Sequence, residues 1–221
     1  MTSTLDSPRV RDLLDRLFAD ARATDAPMRA ELMRLSPEDR AAFLSRARDD
    51  YRGFYGAARG LFLPVSPETG RLLYALGRAS RARHVVEFGT SFGLSTICLA
   101  AALRDNGGGQ LIGTELEPSK AARARENLAA AGLDDLVEVR EGDALASLAR
   151  DLPSTVDLVL LDGAKVLYPL VLDILEPHLR AGSVLVADNA DDSPDYVTRV
   201  RTSGIYVSSP FGPDVEVSVR T

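Results

Sequence analysis

The spacing of apolar residues divides the chain into a helical first part and a second part in which strands and helices alternate. Within residues 7–21, apolar side chains recur at the spacing of one helix face. This stripe consists of Val10, Leu13, Leu14, Leu17 and Phe18. Two further helices are predicted over residues 36–60 and 66–80, because each begins with a Ser-Pro pair that suits a helix N-terminus.

From His84 onward, short apolar runs alternate with amphipathic runs. The runs that we interpret as strands lie at residues 84–88, 110–115, 136–141, 156–162 and 183–189. Such alternation indicates right-handed βαβ units and a parallel sheet. Residues 204–220 predict instead two antiparallel strands around a turn at Gly212-Pro213. We therefore expect an α/β fold with a doubly wound, mostly parallel, seven-stranded Rossmann-like sheet, an antiparallel C-terminal hairpin and an N-terminal helical extension.

Composition and charge argue against several classes of protein. The chain has 221 residues, a net charge of −6 and a pI near 5.0, which argues against a nucleic-acid-binding face, because phosphate recognition needs a basic surface. No apolar run approaches the roughly 18–20 residues of a membrane span, and the N-terminus lacks the apolar region of a signal peptide. The single cysteine, Cys98, cannot form an internal disulfide. We expect a cytoplasmic protein with no nucleic-acid or membrane partner.

Lysine is rare in this chain. Of the 26 basic residues, only Lys120 and Lys165 are lysine, and the others are arginine. A lysine in such a chain can mark a position where a permanently charged guanidinium cannot serve.

Three successive strand ends carry residues that suit an adenosine ligand. The first strand runs into a glycine-rich turn in which Gly89 and Gly93 have GxxxG spacing, so the GxGxxG dinucleotide fingerprint is not met. The second strand ends in Glu115, which is placed to accept both ribose hydroxyls, and Asp143 follows the third, where an adenine edge would lie. Each acidic residue could instead cap a helix. Together the three features favour adenosine binding.

These segments resemble those of class I S-adenosylmethionine-dependent methyltransferases. More narrowly, they are similar to the metal-dependent O-methyltransferases that include the catechol and caffeoyl-CoA enzymes, in their bacterial type. The segments VVEFGTSFGLST, GTELEPSKAARARENLAAAG, REGDA, LLDGAKVLY and VADN carry the resemblance, with PFGPDVEVSVR resembling the closing hairpin. The resemblance covers residues 63–221, which implies a cofactor-binding methyltransferase domain there. Residues 1–62 are then a helical extension that serves as a lid or in dimerisation.

The resemblance implies S-adenosylmethionine as cofactor, a divalent cation such as Mg²⁺, and a hydroxyl of a small molecule as methyl acceptor. By position, Val65 and Gly89 contact the methionine part of the cofactor and Ser95 its carboxylate. Glu115 holds the ribose, and Asp143 and Ala144 lie beside the adenine. The remaining cofactor residues are Glu87, Ser91, Gly93 and Asp162. The implied metal ligands are Asp162, Asp188 and Asn189, with Lys165 as the catalytic base.

The residue types at the fourth and fifth strand ends support the metal and base roles on chemical grounds. Two carboxylates and an amide are hard oxygen ligands that suit magnesium, and no histidine or cysteine lies beside them to suit zinc. Lysine can accept a proton, whereas arginine cannot be deprotonated in a protein. The alternatives are structural: Asp188-Asn189 could cap the helix near Pro194, and Lys165 with Asp162 could form a surface ion pair.

This sequence also departs from the better-known members of the family. Gly163-Ala164 stand where the animal catechol enzymes carry histidine and tryptophan, and the chain contains no tryptophan. These differences predict a wider pocket and an acceptor that is larger or less planar than a simple catechol, with a vicinal hydroxyl pair as the favoured target.

Two other classes of function stay open at this point. One is a nicotinamide-dependent reductase, which the GxxxG spacing and the lack of a Tyr-x-x-x-Lys pair near the fourth strand disfavour. The other is a non-catalytic adenosine-binding or assembly protein. Because the apolar stripe of the first helix must cover either its own core or a partner chain, we also predict a homodimer in which the N-terminal helices take part.

Overall fold

The computed structural model describes residues 2–36, 38–39, 42–43, 45 and 49–221, and its centre is a seven-stranded sheet with the order β3-β2-β1-β4-β5-β7-β6. The strands are β1 (His84–Phe88), β2 (Gln110–Glu115), β3 (Val137–Glu141), β4 (Val156–Leu161), β5 (Leu179–Ala187), β6 (Tyr206–Phe211) and β7 (Val215–Arg220). The pairs among β1 to β5 are parallel, whereas β7 is antiparallel to both of its neighbours. The predicted methyltransferase fold, with its mostly parallel sheet and C-terminal hairpin, is confirmed.

Helices cover both faces of the sheet. The helices that the structure describes are α1 (Pro8–Arg34), α2 (Tyr51–Ala57), α3 (Pro67–Ala79), α4 (Leu94–Asp105), α5 (Pro118–Ala131), α6 (Ala144–Ser147), α7 (Tyr168–Leu175) and α8 (Pro194–Thr202). One hydrophobic cluster joins α1, α3, α4 and α5 to one face, and a second joins α6, α7 and α8 to the other. All six residues of β4 are buried, as expected of a central strand covered on both faces.

The first helix differs in length from the prediction and shares the core of the domain. It continues to Arg34, well beyond residue 21, and contains Pro27. Its stripe packs into the same cluster as Leu73, Leu94 and Leu99, with Val10 only 1% exposed. The chain itself therefore covers this stripe, and the stripe no longer argues for a partner. The homodimer and the boundary between residues 1–62 and 63–221 stay predictions.

Most other predicted elements lie where the apolar pattern placed them. The helix predicted over residues 66–80 is α3, and the Ser66 side chain accepts a hydrogen bond from the Thr69 backbone N–H at 3.0 Å. Of the helix predicted over residues 36–60, the structure describes α2, while residues 37, 40–41, 44 and 46–48 lie outside the described part. Among the described helices, none has the length and apolar composition needed to cross a bilayer.

Candidate active site

A cavity opens where the strand order reverses between β1 and β4, at the carboxyl ends of the parallel strands. Ligands of doubly wound proteins bind at this position. The strand ends and the turns after them supply most of the lining: Phe88, Gly89, Ser91, Thr114, Glu115, Leu116, Lys120, Gly142, Asp143, Ala144, Asp162, Gly163, Ala164 and Leu167. Tyr51 and Tyr55 of α2 and Leu63 complete it. We call this space the cofactor cavity.

Gly89 allows the turn after β1 to approach the end of β4. Its φ is +98°, and a Cβ at this position would lie 2.6 Å from the carbonyl oxygen of Asp162. Any other residue would therefore be strained by its backbone conformation and would collide with the neighbouring strand. The short separation brings the glycine turn and Asp162 into one cavity.

Glu115 is held by backbone hydrogen bonds at the end of β2. The Ser91 N–H donates to its Oε2 at 2.7 Å, and the Glu117 N–H donates to its Oε1 at 2.9 Å. The two carboxylate oxygens together offer about four lone-pair sites, so each keeps acceptor capacity for a ligand hydroxyl. Glu115 thus has the position and the free acceptors that ribose binding requires, while Glu117 is the residue that caps α5.

Glu87 lies beneath the glycine turn, out of contact with the cofactor cavity. Its buried carboxylate accepts hydrogen bonds from the hydroxyls of Ser95 at 2.6 Å, Thr96 at 2.5 Å and Thr90 at 3.0 Å. Burial raises the pKa of Glu87 to about 7, against the opposing effect of these donors. The Ser95 hydroxyl therefore already donates its single proton inside the protein.

The structure brings together six of the ten predicted cofactor residues along the cofactor cavity. These are Gly89, Ser91, Glu115, Asp143, Ala144 and Asp162. Glu87, Gly93 and Ser95 do not line it, and Val65 lines a neighbouring cavity. The cofactor roles of all ten stay predictions.

Hydrogen bonds to the Asp143 carboxylate hold α2 beside the cofactor cavity. This carboxylate accepts from the Leu145 N–H at 2.9 Å, which caps α6, and also from the Tyr51 hydroxyl at 3.2 Å and the Arg52 guanidinium at 2.5 Å. Burial opposes ionisation, but these donors hold the pKa of Asp143 below its usual range. The capping role that the sequence left open is therefore real, and Asp143 also lines the cavity.

A buried group of polar side chains lies at the ends of β4 and β5. Lys165 Nζ donates to Asp162 Oδ1 at 3.0 Å and to the Tyr168 hydroxyl at 2.8 Å. The side chains of Lys165 and Asp162 are only 16% and 9% exposed, so this is not a surface ion pair. The Tyr168 hydroxyl lies 2.8 Å from the carbonyl oxygens of both Leu161 and Asp188, and its single proton can be donated to either of them.

Both aspartates are unfavourable as buried anions, even though the Lys165 ammonium lies beside Asp162. Burial raises the pKa of Asp162, and burial together with the negative charge of Asp162 raises the pKa of Asp188 to about 8. Asn189 has a left-handed backbone, with φ +48°, and its amide nitrogen donates to Asp214 Oδ2 at 3.2 Å. No described residue donates a hydrogen bond to its amide oxygen, and neither Asp188 nor Asn189 caps α8, whose N-cap is Ser193.

This donor set fits a hard divalent cation. Among the described residues, no three His, Cys, Asp or Glu side chains form a metal site by themselves, so the Asn189 amide would be needed as a third ligand. Oxygen ligands and two mutually repelling carboxylates suit magnesium, and a dication would relieve the repulsion. The metal roles of Asp162, Asp188 and Asn189 stay predictions that this chemistry supports.

A second cavity lies beside Asp188 and is walled by α1. We call it the acceptor-side cavity; its lining is Phe18, Ala21, Arg22, Arg29, Leu63, Pro64, Val65, Ser66, Pro67, Thr69, Asp188, Asn189 and Asp214. Asp25, buried within α1, accepts from the backbone N–H groups of Phe62 and Leu63 at 2.9 Å each. It thereby fixes the segment that separates the two cavities.

Sequence reasoning missed several residues that shape the site. Asp25 falls four residues after Ala21, on the buried face of α1, so its place on an apolar stripe was an available signal. Lys120 stood out as a rare lysine, but nothing in the sequence showed that it lines the cofactor cavity. Tyr51, Tyr55 and Tyr168 carried no recognisable pattern.

Comparison with known proteins places the chain among methyltransferases. Residues 86–190 match the family described as "Methyltransferase domain". The chain is similar to a catechol O-methyltransferase of Niastella koreensis, with 35% identity over 130 residues that cover 58% of each protein. It is also similar to the catechol O-methyltransferase of Sus scrofa, with 31% identity over 162 residues that cover 70% of this chain and 86% of that protein.

A solved structure agrees with these relatives. The O-methyltransferase from Bacillus cereus in complex with SAH superimposes with a TM-score of 0.67 and 25% identity, covering 79% of this chain and 91% of that one. The matched part of this chain spans 58%, 57% and 60% of three curated relatives, so it corresponds to less than two thirds of their lengths.

Proposed function

This chain belongs to the catechol and caffeoyl-CoA O-methyltransferase-like family of class I S-adenosylmethionine-dependent enzymes, and we propose that it transfers the methyl group of S-adenosylmethionine to a hydroxyl of a small-molecule acceptor. We propose further that the reaction depends on a divalent cation and that the acceptor carries two neighbouring hydroxyls. The observation that carries the proposal is the placement of Asp162, which lines the cofactor cavity and is also hydrogen-bonded to Lys165. Cofactor and acceptor chemistry would thus meet at one strand end.

The cofactor cavity would supply the contacts for an adenosine ligand. The free lone pairs of Glu115 would accept the ribose hydroxyls, and the region of Asp143 and Ala144 would take the adenine. Tyr51 and Tyr55 of α2 line the cavity, where they would exclude water from the reacting sulfonium. Positioning of this kind supplies much of the rate of a bimolecular transfer.

Asp162, Asp188 and Asn189 would hold the cation, which would stabilise negative charge on the acceptor oxygen when bound. Lys165 Nζ would take the proton of the acceptor hydroxyl. Asp162 and Tyr168 both contact this amine and would orient it. The acceptor would enter through the acceptor-side cavity, which reaches Asp188 and Asn189.

Calorimetry with S-adenosylhomocysteine, with and without Mg²⁺, tests the proposal in two parts. We expect the wild type to bind the nucleoside and NAD to show no binding. Asp188→Ala should keep nucleoside binding, because the adenosine contacts lie on other strands, and should lose methyl transfer. A chain that binds the nucleoside but methylates no vicinal diol or catechol would instead be a non-catalytic adenosine-binding protein.

A further inference from the structure

Lys120 is a buried cation at the edge of the cofactor cavity. It lies in the first turns of α5, is 3% exposed, and lines the cavity together with Glu115 and Ser91. Its ammonium makes no hydrogen bond or ion pair within the part of the chain that the structure describes. The contact that it does make is with the face of the Phe92 ring, whose centroid lies 5.6 Å from Nζ.

A buried ammonium with only an aromatic face beside it is unfavourable. Charged groups in protein interiors are normally paired, because removing them from water costs several kcal/mol or more. Consistent with this, burial lowers the pKa of Lys120, while the negative charge of Glu115 opposes the shift. A ligand anion would supply the missing partner.

The acidic residues around Lys120 accept hydrogen bonds from other groups, and none of the described ones is hydrogen-bonded to the ammonium. Glu115 accepts two backbone N–H groups, and Asp25 accepts the N–H groups of Phe62 and Leu63. Glu117 accepts from the Ser119 hydroxyl at 2.8 Å. These side chains attract the ammonium through space but do not bind it.

The cofactor of the proposed reaction carries one anionic group, the carboxylate of its methionine part. The resemblance to the methyltransferase family implies Ser95 as the partner of this carboxylate, but the Ser95 hydroxyl donates to Glu87 and does not line the cavity. Glu115 suits the neutral ribose hydroxyls, and its own charge would repel a carboxylate.

We propose that the Lys120 ammonium binds the carboxylate of the methionine part of the cofactor. This assignment rests on the proposed function, since it takes S-adenosylmethionine as the ligand of the cavity. It makes Lys120 a binding residue with a purpose separate from that of Lys165. The two lysines of the chain would then serve the two ends of the reaction, one the methyl donor and the other the acceptor.

The test removes the Lys120 ammonium from the protein and the carboxylate from the ligand, one at a time. Affinity is measured by calorimetry for S-adenosylhomocysteine and for its decarboxylated analogue, which keeps the ammonium, the thioether and the adenosine. Lys120→Met should weaken S-adenosylhomocysteine binding by roughly 10- to 100-fold, the effect of losing one charge-assisted hydrogen bond. The decarboxylated analogue should bind wild type and Lys120→Met equally well.

Controls separate this assignment from a general loss of charge or of folding. Arg123→Met removes a cation from an exposed position of the same helix and should leave both affinities unchanged. Lys120→Arg, which keeps the charge, should retain more of the affinity for S-adenosylhomocysteine than Lys120→Met does. If Lys120→Met does not fold, the comparison of Lys120→Arg with the wild type still tests the assignment.

Two results would overturn the assignment. Equal losses for both ligands would place Lys120 on the adenosine or ribose, and unchanged affinity for both would leave it a structural cation. If the wild type bound neither ligand, the proposed function itself would fail, which is a different outcome.

Discussion

We expect cofactor affinity to depend on the side chain of Glu115. Both of its oxygens already accept backbone N–H groups, so its position does not depend on the ligand. Glu115→Ala should weaken S-adenosylhomocysteine binding by about 10- to 100-fold, because hydrogen bonds to a charged acceptor contribute roughly 1.5–3 kcal/mol. Calorimetry measures this loss. Glu141→Ala, at an exposed carboxylate that pairs with Arg125, is the control, and unchanged affinity in folded Glu115→Ala would remove Glu115 from the site.

The charge of Lys165 and its ability to accept a proton can be tested separately. Lys165→Arg keeps the charge but cannot act as a base, so single-turnover methylation should fall by roughly 10²- to 10⁴-fold with cofactor binding preserved. Lys165→Met, which lacks both properties, should lose a similar amount. If the arginine variant were nearly as fast as the wild type at saturating Mg²⁺, Lys165 would not be the base.

Glu87 predicts a pH dependence of folding stability. Its pKa is raised to about 7 by burial, so the stability linked to its neutral form is fully present below its unfolded pKa and is lost as the pH rises through 7. Between pH 5 and pH 8 this amounts to at most about 3 kcal/mol. Urea unfolding should show that the free energy of unfolding of Glu87→Gln increases relative to that of the wild type as the pH rises across this range. Asp162 and Asp188 titrate in both proteins, so their contribution cancels, and parallel pH profiles would contradict the assignment.

At the level of elements, α1 belongs to the site through Asp25 as well as to the core through its apolar stripe. Replacing the buried Asp25 leaves the partly buried N–H groups of Phe62 and Leu63 without their acceptor. Asp25→Ala should lower the free energy of unfolding by about 2 kcal/mol, because a fully buried unsatisfied donor costs about 1–3 kcal/mol and these two N–H groups are only partly buried. Denaturant unfolding measures it, with the exposed Asp20→Ala as control. Equal stability of the two variants would show that the segment is held by other contacts.

Most elements could be predicted because their signals are local, whereas the exceptions depend on tertiary contacts. The stripe of α1 turns polar at Asp25, so apolar spacing alone ended the helix early, and the packing that carries it to Arg34 is not visible in the sequence. The C-terminal hairpin was predicted, but nothing local shows that β7, the later strand, is the one that pairs with β5.

The sequence predicts the site residues that lie at the ends of neighbouring strands. It does not predict the residues whose role depends on the direction in which the side chain points. Carboxyl ends of parallel strands share one edge of the sheet, which is why Glu115 and Asp162 could be expected in one cavity. Ser95 lies close to the glycine turn in sequence, yet its hydroxyl faces Glu87. Lys120 could have been solvated on α5, and nothing in the sequence shows that it is buried with its ammonium beside the Phe92 ring.

For the whole molecule, the folded core gives no evidence on the association state. The apolar stripe that motivated a homodimer is buried within the chain, so a dimer would need another surface. We keep the homodimer as the prediction: light scattering at micromolar concentration should give twice the mass of 23.8 kDa that corresponds to one chain. A mass of one chain would refute it without affecting the site.

The central claim is metal-dependent methyl transfer from S-adenosylmethionine to a hydroxyl. The most direct measurement follows a labelled methyl group from S-adenosylmethionine to 3,4-dihydroxybenzoate, in Mg²⁺ and in excess chelator, for the wild type and Asp188→Ala. We predict a methyl ether product with the wild type in Mg²⁺, its loss in chelator with recovery on adding Mg²⁺ or Mn²⁺, and none with Asp188→Ala. Full activity in excess chelator would contradict the metal site, and no transfer to this or any other vicinal diol would contradict the proposed reaction.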